Sequence, residues 1–133
     1  ITRLVNMGIP RWTIAASVIL VSAQRLVRRL CPHCRRPAHL PPEALPGEAM
    51  ADGRFFEAAG CDRCLNGFRG RLGIHEVMPM TEAITSRILH NERDTVLAGE
   101  LRATGLPGLR DAGLGKAAQG LTSLSEIDRV TRG

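Results

Sequence analysis

The sequence predicts a small α/β fold: two antiparallel strands, a cysteine-rich segment inserted between them, and short helices after the second strand. Three observations predict it. Two β-rich runs, one ending near Leu30 and one over Arg71 to Met80, flank the middle of the chain. Residues 31–70 hold all four cysteines and five of the eight prolines, namely Pro32, Pro37, Pro41, Pro42 and Pro46. Beyond Thr81, apolar residues recur at helical spacing behind capping residues. The chain accordingly divides into 1–30, a helix and then a strand; 31–70, a metal-binding insert; and 71–133, a returning strand and a helical bundle.

Ile9-Pro10 can start a helix, since proline is tolerated in the first turn. Trp12, Ala15, Ala16 and Ile19 fall at helical spacing, and Val18-Ile19-Leu20-Val21 is β-rich. This predicts a helix over about 10–18 and a strand over about 19–29. In the second strand, over 71–80, Leu72, Ile74 and Met78 point one way; Gly73, His75 and Val77 point the other. The strands pair antiparallel if the cysteine segment is an excursion whose ends lie close together. Thr81 caps a helix carrying Ile84, Ile88 and Leu89. Asp94 caps the next, with Val96, Leu97 and Leu101, stopped by Gly105. A third runs from about Leu109 to Gln119, weakened by Gly113 and Gly115 and closed at Gly120. The last opens with Ser123-Leu124-Ser125-Glu126, a capping box in which hydroxyl and carboxylate each bond the other residue's amide. No longer repeat is visible.

The chain has 133 residues, 44% hydrophobic and 23% charged, ordinary values that argue against wholesale disorder. Aromatic residues are 3%, with no Tyr, which argues against stacking platforms for nucleic-acid bases. Net charge is +5 and the pI about 9.8, and Lys116 is the only lysine. That balance permits anionic partners without choosing one. The longest strongly apolar stretch, Ile14 to Val21, falls far short of the roughly 20 residues that span a bilayer. The chain starts at Ile1 and shows no signal-peptide pattern, so the expectation is a soluble piece of a longer protein.

The strongest chemical signal is Cys31-Pro32-His33-Cys34 followed by Cys61-Asp62-Arg63-Cys64. Two residues between thiolates let both sulfurs face one ion, and two such knuckles close a tetrahedral zinc site. A four-thiolate site leaves no position for water or substrate, so Cys31, Cys34, Cys61 and Cys64 are expected to hold a structural Zn²⁺. Zinc would contribute on the order of 10 kcal/mol to folding. Disulfides need an oxidising compartment, and nothing suggests export. A redox Cys-x-x-Cys needs a βαβ setting and not two matched pairs; ferredoxin spacings are tighter. His33 should point away from the ion, and His39, His75 and His90 each stand alone. Arg28, Arg29, Arg35, Arg36, Arg63, Arg69 and Arg71 flank the knuckles. A zinc tetrathiolate carries formal charge −2, so they read first as partly balancing it. The sequence has no phosphate-binding P-loop, no Gly-x-Ser-x-Gly elbow and no His-Glu-x-x-His; no catalytic residue is expected here.

A set of stretches then carries a family resemblance. They are Ile9–Val18, Ala23–Cys34, Gly60–Cys64, Gly67–Met78, Leu109–Leu114, Gly120–Ile127 and Arg129-Val130-Thr131. Together they resemble the C-terminal third of the GspE/PilB family of secretion ATPases, the motors of type II secretion and type IV pilus assembly. The resemblance covers nearly the whole chain. The short spacing from Cys64 to Gly67-Phe68-Arg69-Gly70-Arg71, and the Ile9–Val18 stretch, lean toward the pilus branch. The resemblance implies that this chain begins in the tail of a RecA-like ATPase core, with a tetracysteine zinc subdomain inserted and a small helical bundle after it. It implies a hexameric parent that binds ATP and Mg²⁺ mainly through Walker motifs and arginine fingers upstream. The parent would be cytoplasmic, peripheral to the bacterial inner membrane, with pilus or secretion platform proteins as partners and no nucleic acid. By this reading the segment alone is inactive. The competing readings are a zinc-ribbon nucleic-acid-binding module, resting on the pI and the arginines, and a dithiol redox protein.

Overall fold

The computed structural model describes residues 1–39 and 54–132. Leu40, Pro41, Pro42, Leu45 and Pro46 lie outside the described residues. The described residues contain helices α1 (Thr2–Asn6), α2 (Arg11–Ser17), α3 (Glu82–Leu89), α4 (Asp94–Ala103), α5 (Leu109–Ala118) and α6 (Leu124–Thr131). The strands are β1 (Leu20–Leu30), β2 (Arg36–Pro37), β3 (Phe56–Glu57) and β4 (Phe68–Pro79). β1 pairs with β4. Met80 donates its amide to the Ile19 carbonyl, and Cys31 donates to that of Gly67, so the strands run antiparallel as expected. β4 starts three residues before the expected Arg71, and β2 and β3 form a separate antiparallel pair that the sequence did not announce.

The described residues form two compact units, Ile1–Ala23 with Glu76–Gly108, and Gln24–His75 with Leu109–Gly133. In the first, Ile84, Ile88 and Leu97 form the core, with Ile1, Met78 and Met80 against them. α3 presents Ile84 and Ile88 one turn apart, and its N-cap Thr81 accepts the Ile84 amide at 3.3 Å, as expected. α4 differs: its N-cap is Arg93, and Asp94 is its first helical residue rather than its cap. It ends at Gly105, whose φ of +74° is reached at little cost only without a Cβ. α2 matches the expected helix closely, but it buries Ile14, while Trp12 and Ile19 are exposed. α1 had no announced counterpart.

The second unit has its core in Val27, Phe55, Ile74, Leu114, Ala117 and Ile127. α5 and α6 pack on each other and on this sheet segment. Gly113 lets them approach closely, since a Cβ there would sit 2.9 Å from Ile127. Phe55, from the chain before the second cysteine pair, is part of the same core. The helices after Thr81 pair as α3 with α4 in the first unit and α5 with α6 in the second.

Candidate metal centre

Cys31 continues directly from β1, and its amide is held by the Gly67 carbonyl at 2.8 Å. The chain then turns back on itself: Arg35 donates to the Cys31 carbonyl at 3.0 Å. The second knuckle turns the same way, with Cys64 donating to the Cys61 carbonyl at 3.3 Å. Next comes a tight hairpin turn. Leu65 and Phe68 exchange both backbone bonds at 3.0 Å around Asn66 (φ +50°) and Gly67 (φ +83°). Two positive φ angles make this a type I′ turn, and Asn-Gly is its preferred pair. Gly67 is required twice over, since a Cβ there would lie 2.6 Å from the Ala58 Cβ. The turn brings the second cysteine pair onto the first.

The four sulfurs lie within 4.8 Å of one another, an arrangement that could hold a metal ion. Cys31 Sγ is 3.9 Å from Cys61 Sγ, Cys34 Sγ is 3.7 Å from Cys64 Sγ, and Cys61 Sγ is 3.6 Å from Cys64 Sγ. None of these is a disulfide distance of about 2.05 Å. Two backbone amides point at sulfur: Gly60 toward Cys34 at 3.3 Å and Cys61 toward Cys64 at 3.2 Å. Burial opposes ionisation of Cys64, but the Cys61 amide and the neighbouring thiols outweigh it and hold Cys64 down to about 7. Cys61 is pushed up to about 12: the backbone bond at Arg63 favours its thiolate, but burial and the other three thiols together prevail. Burial is also the largest influence on Cys34 and pushes it up. A cation bound there would displace the thiol protons. His33, His39 and His75 are exposed, while His90 lies near α3's end with Nδ1 2.7 Å from the Ser86 carbonyl.

Two flanking arginines are structural rather than loose charge. Arg35 lies over the Phe56 ring at 4.4 Å and donates to the Gly120 carbonyl. Arg28 lies over Phe68 at 4.1 Å. Arg29, Arg36, Arg63, Arg69 and Arg71 are exposed.

The residue that sequence reasoning misplaced is Glu126. Ser123 accepts the Glu126 amide at 3.3 Å, as a capping box requires. The carboxylate, however, is buried and turned to β1. It accepts the Arg28 backbone amide at 3.1 Å, the Arg28 guanidinium at 2.5 Å, and Arg129 Nε and Nη2 at 3.0 and 2.9 Å. The other polar groups on the edge of β1 are met by the same turn: Thr122 donates to the Arg28 carbonyl at 2.8 Å and Leu30 donates to Leu121 at 2.9 Å. The α5–α6 connection thus satisfies the outer edge of β1 just before the first cysteine. Burial pushes the Glu126 carboxyl up, yet the bonds from Arg129 and Arg28 overcome it and hold it at about 2. Glu126 lies three residues before Arg129 in sequence, a visible helical pair, but its link to Arg28 crosses 98 positions.

The family model described as type II/IV secretion system protein matches residues 1–129. The chain belongs to this family. It is 42% identical over 137 residues to the type IV pilus assembly ATPase PilB of Pseudomonas aeruginosa, covering 99% of this chain and 24% of that protein. Identity to PilB of Acinetobacter baylyi is 44% over 138 residues, covering 98% of this chain and 24% of that one. The type II secretion system ATPase E of Vibrio cholerae is 39% identical over 139 residues, covering 99% and 27%. The chain spans about a quarter of the length of these relatives. Among the described residues, no helix is long and apolar enough to cross a membrane.

Proposed function

We propose that this chain is the C-terminal, zinc-binding part of a hexameric ATPase that powers type IV pilus assembly, or type II secretion, at the inner membrane. The observation that carries the reading is the likeness to motors of both branches across nearly the full chain. The 133 residues contain no P-loop, so in this reading ATP and Mg²⁺ are bound upstream and the segment alone does not hydrolyse ATP. It supplies the tail of a RecA-like core, a metal module and subunit contacts. Residues 1–30 would be the end of that core, 31–70 the insert, and 71–133 the returning strand and helices.

Cys31, Cys34, Cys61 and Cys64 would hold the ion. Four thiolates at about 2.3 Å around a tetrahedral Zn²⁺ stand about 3.8 Å apart. Three of the six sulfur separations, 3.6 to 3.9 Å, are close to that spacing, and all six lie within 4.8 Å. An all-sulfur donor set also favours zinc over oxygen-seeking cations. Bound there, the ion ties the end of β1 to the start of β4 and supplies no reaction chemistry. Elemental mass spectrometry of the purified chain should give one zinc per chain, and ATPase assays should give no turnover by the chain alone but turnover by its full-length parent. A metal-free folded chain with a disulfide, or hydrolysis by the chain itself, overturns the reading.

A further inference from the structure

Within the second unit, apart from the cysteines, a cavity of about 550 Å³ is lined by Leu26, Val27, Arg28, Arg71 and Arg129. Among the described residues, the carboxylate paired with its arginines is Glu126, bound to two of the three. Three guanidinium charges against one carboxylate leave +2. All acceptor positions of Glu126 are used, two bonds to each oxygen. A guanidinium has five N–H donors; Arg28 gives Glu126 one and Arg129 gives it two. Arg71 is exposed and, among the described residues, forms no ion pair.

The arrangement differs from ordinary surface charge in one physical respect. Arg28 is fixed by the buried Glu126 and by the Phe68 ring, and Arg129 is fixed by a two-point contact with the same carboxylate. Side-chain entropy normally lost on gripping a ligand is lost here on folding. Leu26, about half exposed, gives the cavity an apolar side, while Val27 turns into the core beneath it. No aromatic side chain lines the cavity, so nothing there stacks on a base.

We infer that this cavity is a binding site for a phosphate monoester dianion, gripped by Arg28, Arg71 and Arg129 over the buried Glu126. The ligand's two charges equal the uncompensated two of the site, and its tetrahedral oxygens suit guanidinium donors. The phosphate can be free or can belong to a lipid headgroup.

The test uses the metal-loaded chain and inorganic phosphate. Backbone amide resonances are followed at pH 7.5 and constant ionic strength, with chloride as the replaced anion. Expected are saturable shifts at Leu26, Val27, Arg71 and Arg129, with half-saturation at about 1 mM or below. Arg71→Gln should weaken binding about tenfold or more, and Arg71→Lys less, because a point charge replaces a fork. Arg102→Gln removes the same charge from α4, in the other unit, and should leave binding unchanged. Shifts that stay linear with phosphate, or equal weakening in Arg71→Gln and Arg102→Gln, overturn the site. Two further arms separate the sources. Glycerol 3-phosphate moving the same amides assigns a free monoester; phosphate-competed binding to phosphatidic acid vesicles assigns a headgroup.

Discussion

Replacing Glu126 by Gln is the sharpest test of how the second unit holds together. The substitution keeps the shape and one carbonyl oxygen but removes the charge. Two arguments set the magnitude. The carboxyl is held at about 2 instead of the ordinary 4.5, and about 2.5 pH units at 1.36 kcal/mol each is about 3 kcal/mol. Arg28 and Arg129 are 48% and 55% exposed, so solvent screens their side of the pair and lowers the figure to about 2 kcal/mol. Hydrogen bonds to a charged group independently give about 1.5–3 kcal/mol each, with part retained by Gln. The expected cost is therefore about 2–3 kcal/mol. Amide hydrogen exchange at Val27, Ile74 and Ile127 should report it at pH 7, with Ile84 and Ile88 of the first unit unaffected. The pH dependence has a definite sign. The folded pKa lies below the unfolded one, so this stabilisation is complete above about 4.5 and fades as pH falls toward about 2. Thiol protonation in acid acts on both proteins and cancels in their difference. A gap under about 0.5 kcal/mol at pH 7 would mean the buried carboxylate is not the anchor.

Cys61→Ser, or removal of the metal by a chelator, should cost protection across 31–39 and 54–68. The loss should extend into α5 and α6, because Phe55 shares their core, while α3 and α4 stay protected; uniform protection across the cysteine segment would refute the metal's role. Gly67→Ala should cost about 1–3 kcal/mol through both its φ of +83° and its clash with Ala58, and should weaken metal binding; an unchanged metal-binding midpoint would contradict this. Glu100→Gln should cost under about 1 kcal/mol in thermal unfolding, since its pair with Arg87 is 40% and 26% exposed; a larger loss would show the two helices depend on that charge.

Much of this protein was legible from sequence because the relevant physics is local. Two Cys-x-x-Cys pairs, the Thr81 and Ser123 caps and the glycines at 105 and 120 each act within a few residues. β1 and β4 followed from alternation and from the need for the insert's ends to meet. The Asn66-Gly67 hairpin turn was equally local and open to reading. Asp94 shows the margin of such readings: cap and first-turn positions both favour an acidic residue, so composition cannot separate them.

Tertiary structure decided what local patterns leave undetermined. It turned the Glu126 carboxylate from its own helix end to Arg28, whose amide on the outer edge of β1 donates to it alongside the guanidinium. It placed Phe55 with Leu114 and Ile127, so the cysteine segment and the last two helices share a core. It made Ile14, not Trp12, the buried residue of α2. Spacing alone named the four cysteines as one set; only the folded chain brought their sulfurs within 4.8 Å of one another, close enough for one ion. Sequence pattern states which groups need partners within a turn of helix or a step of strand. Which distant group meets that need depends on how the chain closes, and that is a property of the whole fold.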